Sequence, residues 1–340
     1  MQRRQKFQSR RCYVNLHGEQ PVLVNKFNPQ QKQPKARRVT VDLPEQLDLD
    51  ENYEETVTNL TNVRRASDGK FRLGYLNFDR IRQISPSAAL LLASEVDRWN
   101  ARNGGRVRAR HTNWNPNVKR LFCQMGLFEL LGLPRPTDLD LVANTTFLPF
   151  QHRDVVDNSS PGATVKELRV QLEGVAGVEI KRHLLFEALS EAGTNVSQHA
   201  YHSHAHLKRW WLFASYEKSN NTIVVSLCDH GLTIPGTLPS SGFLETVKDK
   251  ISLWNDGEKI KAAMELGRSK TGALERGKGL QNFLEIIKTY PGSRLRIFSN
   301  HGLLTVSNSA SDGLVMKSSL VETPFLGTLI EWQFVPKTTI

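Results

Sequence analysis

Between Pro134 and Gly162 the sequence changes its order of construction, and that change limits the available folds more than any other feature. Pro134, Pro136 and the cluster Asp157-Asn158-Ser159-Ser160-Pro161-Gly162 are turn chemistry, so 136–164 reads as a linker. Upstream, extended and helical patterns alternate. Val39–Leu43 is extended, Glu54–Arg65 helical, and Phe71–Phe78 strand-like. Apolar residues then recur at helical spacing from Ala88 to Trp99. After the Gly104-Gly105 turn come a strand at Val107–His111 and a helix over Val118–Leu131, which Asn115-Pro116-Asn117 can cap. This alternation predicts an α/β layer structure for 39–135.

Downstream the helices come first, from about Val165 and over Ile180–Gln198. Strands follow at Trp210–Glu217 and Thr222–Cys228. The polar stretch Gly236–Arg276 holds one short amphipathic helix near Glu258–Leu266, and a helix spans Gly279–Thr289. Strand-like runs close the chain at Arg294–Asn300, Leu303–Asn308, Val315–Val321 and Thr328–Val335. That order predicts an α+β sandwich for 165–338, one antiparallel sheet with helices on one face.

The net charge of +11 is unevenly placed: residues 1–38 hold ten Lys and Arg but only Glu19 as an acid, so this arm carries nearly all of it. With few large apolar groups, 1–38 reads as a basic, poorly ordered arm. The longest apolar run, Ala88–Ala93, is far below the ~20 residues of a membrane span. The charged N-terminus lacks the apolar core of a secretory signal. Cys12, Cys123 and Cys228 are scattered and form neither a metal spacing nor a disulfide framework, so a cytoplasmic setting is expected.

The densest chemistry lies on Leu184–Tyr201. Leu185, Ala188, Leu189, Ala192 and Val196 fall within about 100° of arc and form an apolar face. Glu187, Glu191, Asn195 and His199 recur every fourth residue as a polar stripe. Two carboxylates one turn apart repel, which suits a stripe facing a cation; a solvated face is the alternative. Further along come Asp229-His-Gly-Leu-Thr-Ile-Pro235, Gly267-Arg-Ser-Lys-Thr-Gly272, Arg276-Gly-Lys-Gly-Leu280 opening a helix, and Gly327-Thr328 opening a strand.

In this order and spacing the segments resemble the nucleotide-binding boxes of the GHKL ATPase superfamily, which includes gyrase, histidine kinases and MutL. They are most similar to the anti-sigma-factor serine kinase branch. The resemblance implies a Bergerat-type α/β sandwich binding ATP and Mg²⁺. It implies that Glu191 acts as base on the attacking water or hydroxyl and that Asn195 coordinates Mg²⁺. Asp229 would accept the adenine amine, Gly231 would let the backbone approach the base, and Thr328 would support Asp229. The amides of Gly277, Lys278, Gly279 and Leu280 would hold phosphate, with Lys278 as a further contact. Thr233 departs from the pattern, standing where the family has a second glycine; threonine there stiffens the loop and narrows the pocket.

The first half resembles STAS domains, the fold of anti-sigma-factor antagonists, at Phe78–Leu92 and Asn117–Leu131. That resemblance makes Ser85 and Ser87 candidates for phosphorylation, while helix N-capping explains a serine there equally. The run His199, His202, His204, His206 lacks a completing Cys or carboxylate for zinc, and Trp210-Trp211 reads as core. The chain is therefore expected to be an ATP-binding regulator, an ATPase or a serine/threonine kinase. Its lid 236–276 would gate contacts with a protein partner or with its own STAS-like domain. A second class is a nucleic-acid adaptor working through the arm, with a vestigial ATP site. No membrane contact is expected, and oligomeric state stays open, a homodimer included.

Overall fold

Val39 and Val41 alternate along β1 (Arg38–Asp42), which pairs in parallel with β3 (Arg72–Asn77); α1 (Tyr53–Asp68) makes the crossover that a parallel pair requires. The computed structural model describes residues 38–68, 72–109, 113–137, 144–155, 162–238, 254–266, 279–309 and 311–336. A second parallel pair, β2 (Gln46–Leu47) with β4 (Gln83–Ile84), leads into α2 (Pro86–Asn103). Pro86 opens that helix, where a missing N–H costs nothing, and Gly104 closes it at φ 61. Every residue of α2 from Ser87 to Asp97 is buried, which marks a helix covered on all sides.

The helix expected over Val118–Leu131 is two, α3 (Pro116–Met125) and α4 (Leu127–Leu131), because Gly126 takes φ 90 between them. Asn115 does cap α3, accepting from Asn117 N at 2.9 Å. Of the strand expected at Val107–His111, one bridge remains, Leu76 to Ala109, and residues 110–112 lie outside the described residues.

The stretch 136–164 does more than tether. It supplies β5 (Thr145–Phe147) and β6 (Gln151–Asp154), both antiparallel to β7 (Arg209–Glu217). Proline and glycine mark turns between short strands as readily as they mark linkers. The six-stranded antiparallel sheet runs β5-β7-β8-β10-β9, with β6 also on β7; β8 is Thr222–Asp229, β9 Arg294–Ser309 and β10 Gly313–Phe334. The four runs expected at the C-terminus survive as register segments of β9 and β10. Asn300 takes φ 53, and Gly292 N donates to Asn308 O while Asn308 N donates to Ser293 O, so β9 doubles back on itself. The first part of β10 pairs with Gly302–Ser309 and the last with Arg294–Ser299.

Side chains of β7 alternate between two cores. Trp210, Leu212 and Ala214 face α5 (Gly162–Ala176), α6 (Arg182–Asn195) and a later helix, while Trp211 and Phe213 face α1 and α2. The expected single helical face is present; the other face is covered by the N-terminal helices, giving three layers. Buried charges at that junction are paired. Asp97 accepts from Trp211 Nε1 at 2.8 Å and Arg209 Nη1 at 2.7 Å, and Glu331 accepts from Arg296 Nε at 2.8 Å. The polar stretch after β8 contributes α7 (Ile234–Thr237) and α8 (Asp256–Leu266), and α9 (Gly279–Thr289) follows. At α8, Asn255 and Glu258 form a reciprocal capping box, at 3.0 Å and 2.9 Å. No described helix is long and apolar enough to cross a membrane. The arm 1–37 lies outside the described residues.

Candidate functional site

The apolar face of α6 is buried as its spacing predicts, from Leu185 to Val196. Its polar stripe divides. Glu187 and His199 are exposed, while Glu191 and Asn195 are half-buried, with the Asn195 side chain near enough to favour the charged Glu191 carboxylate. Burial pushes the Glu191 carboxyl above the usual carboxylate range, and the Asn195 amide pulls it partly back. Asn195 ends the α-helix, and a π-helical turn, Val196–Ala200, leads the chain away.

Asn195 opens onto a cavity of about 610 Å³. Asp229, from the end of β8, and Thr328, its register partner on β10, line the same cavity. Leu227, Ile330 and Phe283 add apolar wall. Asp229 is only 3 % exposed and accepts from Gly231 N at 2.7 Å. Burial pushes its carboxyl up to about 7, against the pull of the Gly231 N–H and of Arg64. A carboxylate at the edge of ionisation, opening onto an apolar cavity, is a strong acceptor for a ligand N–H.

The remaining sequence-predicted residues stand around this centre. Glu191 reaches it through Asn195. Gly231 and Thr233 lie in the loop behind Asp229 and do not line the cavity. The close approach that Gly231 makes is to protein backbone: a Cβ there would lie 2.0 Å from Ala200 O. Thr233 is extended, at φ −79 and ψ 155, and its Oγ1 accepts from Gly236 N at 3.2 Å, so it caps α7 and does not narrow the cavity. Gly279 and Leu280 open α9, whose Phe283 reaches the wall one turn later. Gly277 and Lys278 lie outside the described residues, as does Gly267–Gly272.

Gly231→Ala is expected to lower stability by about 1–3 kcal/mol, read as a lower denaturation midpoint, because backbone atoms cannot swing aside as a side chain can. An unchanged midpoint would show that the loop retreats from Ala200 without cost.

Two supports escaped the sequence. Ser299, fully buried, accepts from Ile234 N at 2.9 Å and lies 3.0 Å from Thr328 Oγ1, tying the cavity strand to α7. Tyr201 donates to Arg209 O and accepts from His230 N at 3.1 Å. A lone strand serine carries no signal of its own, whereas Tyr201 directly follows His199-Ala200, at the end of the polar-striped segment the sequence singles out.

The capping expectation for Ser85 and Ser87 does not describe what their hydroxyls do. Ser85 occupies the N-cap position of α2, yet its buried hydroxyl makes no capping bond. Ser87 is 1 % exposed and bonds Glu331 and, at 2.6 Å, Ser226. In the histidine run, His199 and His202 line the cavity, and the His202 and His204 rings stack at 5.5 Å. Among the described residues no group of three His, Cys, Asp or Glu is placed to hold a metal. Comparison with protein-family models, with curated proteins and with solved structures found no match to the chain, so the geometry of this cavity carries the functional reading.

Proposed function

We propose that residues 165–338 bind ATP with Mg²⁺ and that the chain is a GHKL-type ATPase or protein serine/threonine kinase acting as a regulatory switch. The observation that carries the reading is the convergence of Asn195, Asp229 and Thr328, distant in the chain, on one cavity. Its volume of about 610 Å³ suits a nucleotide-sized ligand. Asp229 supplies the acceptor an exocyclic amine needs, and Leu227, Ile330 and Phe283 supply apolar surface for a flat ring.

Mg²⁺ typically takes one or two protein oxygens and completes its shell with phosphate and water. The Asn195 carboxamide, with Glu191 beside it, fits that demand. When bound, the ion would neutralise phosphate charge. Glu191, made more basic by burial, would take the proton from the attacking water or hydroxyl. In the same reading 39–135 is the STAS-like part, supported by its β1-α1-β3 crossover and the helix that follows β4.

Calorimetric titration of the full chain with ATP and Mg²⁺ tests this. Saturable binding that weakens when EDTA removes the metal is expected, and no binding at millimolar ATP would overturn the proposal. Formation of ADP without phosphoprotein would assign an ATPase, and phosphoprotein a kinase.

A further inference from the structure

We propose that Arg64 and Ser94, on α1 and α2 of the N-terminal part, are positioning residues for the cavity, holding from behind the sheet the two segments that present Asp229 and Thr328. The inference rests on the nucleotide reading above. It makes the N-terminal helices part of the binding site.

Asp229 and Thr328 are paired across β8 and β10, and each has a neighbour gripped from the opposite face. Because strand residues alternate, the residue after Asp229 turns away from the cavity. That residue, His230, is buried against Trp211, with ring centroids 4.4 Å apart. Its Nε2 lies 2.9 Å from Ser94 Oγ and 3.6 Å from Glu95 Oε1. Ser94 donates its own proton to Leu91 O at 2.7 Å, so it accepts the Nε2 proton. His230 Nδ1 is buried and makes no hydrogen bond among the described residues, which leaves Ser94 as the ring's hydrogen-bond anchor there.

On the other strand, Leu326 O, two residues before Thr328, accepts from Arg64 Nη1 at 2.8 Å. Between them Gly327 takes φ 109 and runs so close to β8 that a Cβ would lie 2.1 Å from Asp229 O. Arg64 is itself fixed, with Nε 2.7 Å and Nη2 2.6 Å from Glu95 Oε1. The gap among Arg64, Glu95, His230 and Leu326 is about 20 Å³, room for about one water, so the grip has little slack. A shift of α1 or α2 would therefore move both strand ends together.

Arg64 on α1 acts on Asp229 directly, Tyr201 and Cys228 lie beside it, His230 follows it with Glu95 and Arg98 of α2 behind, and His199 and His202 line the same cavity. Arg64 favours the ionised Asp229, so removing its charge raises the pH needed to keep that carboxylate ready for the ligand.

The test is titration of the full chain with Mg·ATP between pH 6 and pH 8.5. Arg64→Gln alone strands the buried Glu95, so Arg64→Gln/Glu95→Gln is the main variant, with circular dichroism to verify folding and Ser94→Ala as an independent probe. About tenfold weaker binding is expected for the double variant; because it removes one charge of each sign, the midpoint at which acid abolishes binding is compared with that of Glu95→Gln alone, relative to which it moves to higher pH. Arg64→Lys, which keeps the charge and loses the fork, is expected to restore the midpoint without all of the affinity. A folded double variant with wild-type affinity and midpoint would overturn the proposal and leave the nucleotide reading standing. Weaker binding with an unmoved midpoint would also overturn it, since general loosening does that. Absence of binding by the wild-type chain would overturn both.

Discussion

Glu191→Gln is expected to bind Mg·ATP with near wild-type affinity and to consume it roughly 10²–10⁴-fold more slowly. The separation follows from where Glu191 sits. It does not line the cavity; it stands one helical turn before Asn195, whose side-chain amide favours its charged form. Glutamine keeps an oxygen for the Asn195 amide, so the donor proposed for the metal stays in place. What it lacks is the capacity to take a proton. Burial raises the basicity of Glu191, which improves it as a base at neutral pH and sets an acid limit above the ordinary carboxylate range. The wild-type rate should fall as pH drops through that limit, and the residual rate of the variant should be flat over the same range. ADP formation measured beside calorimetric affinity checks this. If affinity falls as far as rate does, Glu191 is a binding group and the assignment fails.

Asp229→Asn is expected to weaken nucleotide binding by roughly 100-fold. Gly231 N donates to Oδ1 at 2.7 Å, which fixes the side-chain orientation. In the asparagine variant that N–H keeps the carbonyl oxygen, and the NH₂ turns toward the ligand's amine, donor against donor. The native site adds a pH signature. With its carboxyl pushed up to about 7, Asp229 is largely protonated at pH 6, and a ligand that needs the carboxylate must expel the proton. Affinity should fall as pH drops below about 7, and titrations at pH 6 in buffers of different ionisation enthalpy should show proton release. Both effects should vanish in the variant. Full affinity in Asp229→Asn, with a melting profile like the wild type's, would remove Asp229 from the ligand's contacts.

The site was partly legible because some of its parts are local. The apolar spacing from Leu185 to Val196 identified the buried face of α6, and the same period placed Glu191 and Asn195 together. The loop after β8 was visible as a glycine-containing turn, but the reason for Gly231 was not: its neighbour is Ala200, from a turn that no local pattern places there. Thr233, an irregularity when set beside the glycine of the pattern the sequence resembles, is an ordinary helix cap once α7 is seen. The strands of 136–164 were hidden because Pro and Gly read alike in tethers and in turns between short strands.

The periodicity of this chain determined by itself most of its helices and strands and which of their faces are apolar, and its charge distribution set a nearly neutral body after a basic arm. What covers each face was decided only in three dimensions. Trp211, Phe213 and Leu329 required burial on the outer side of the sheet, yet nothing near them in sequence said that α1 and α2 would supply it. Likewise Glu95, Asp97, Arg296 and Glu331 have the composition of surface residues and are buried because their partners arrive from a neighbouring helix (Arg64 for Glu95), from the other half of the chain (Arg209 for Asp97) or from the adjacent strand (Arg296 with Glu331). Side-chain alternation is a property of neighbouring residues; the pairing of two faces is a property of segments far apart in the chain, and it exists only once the chain has folded.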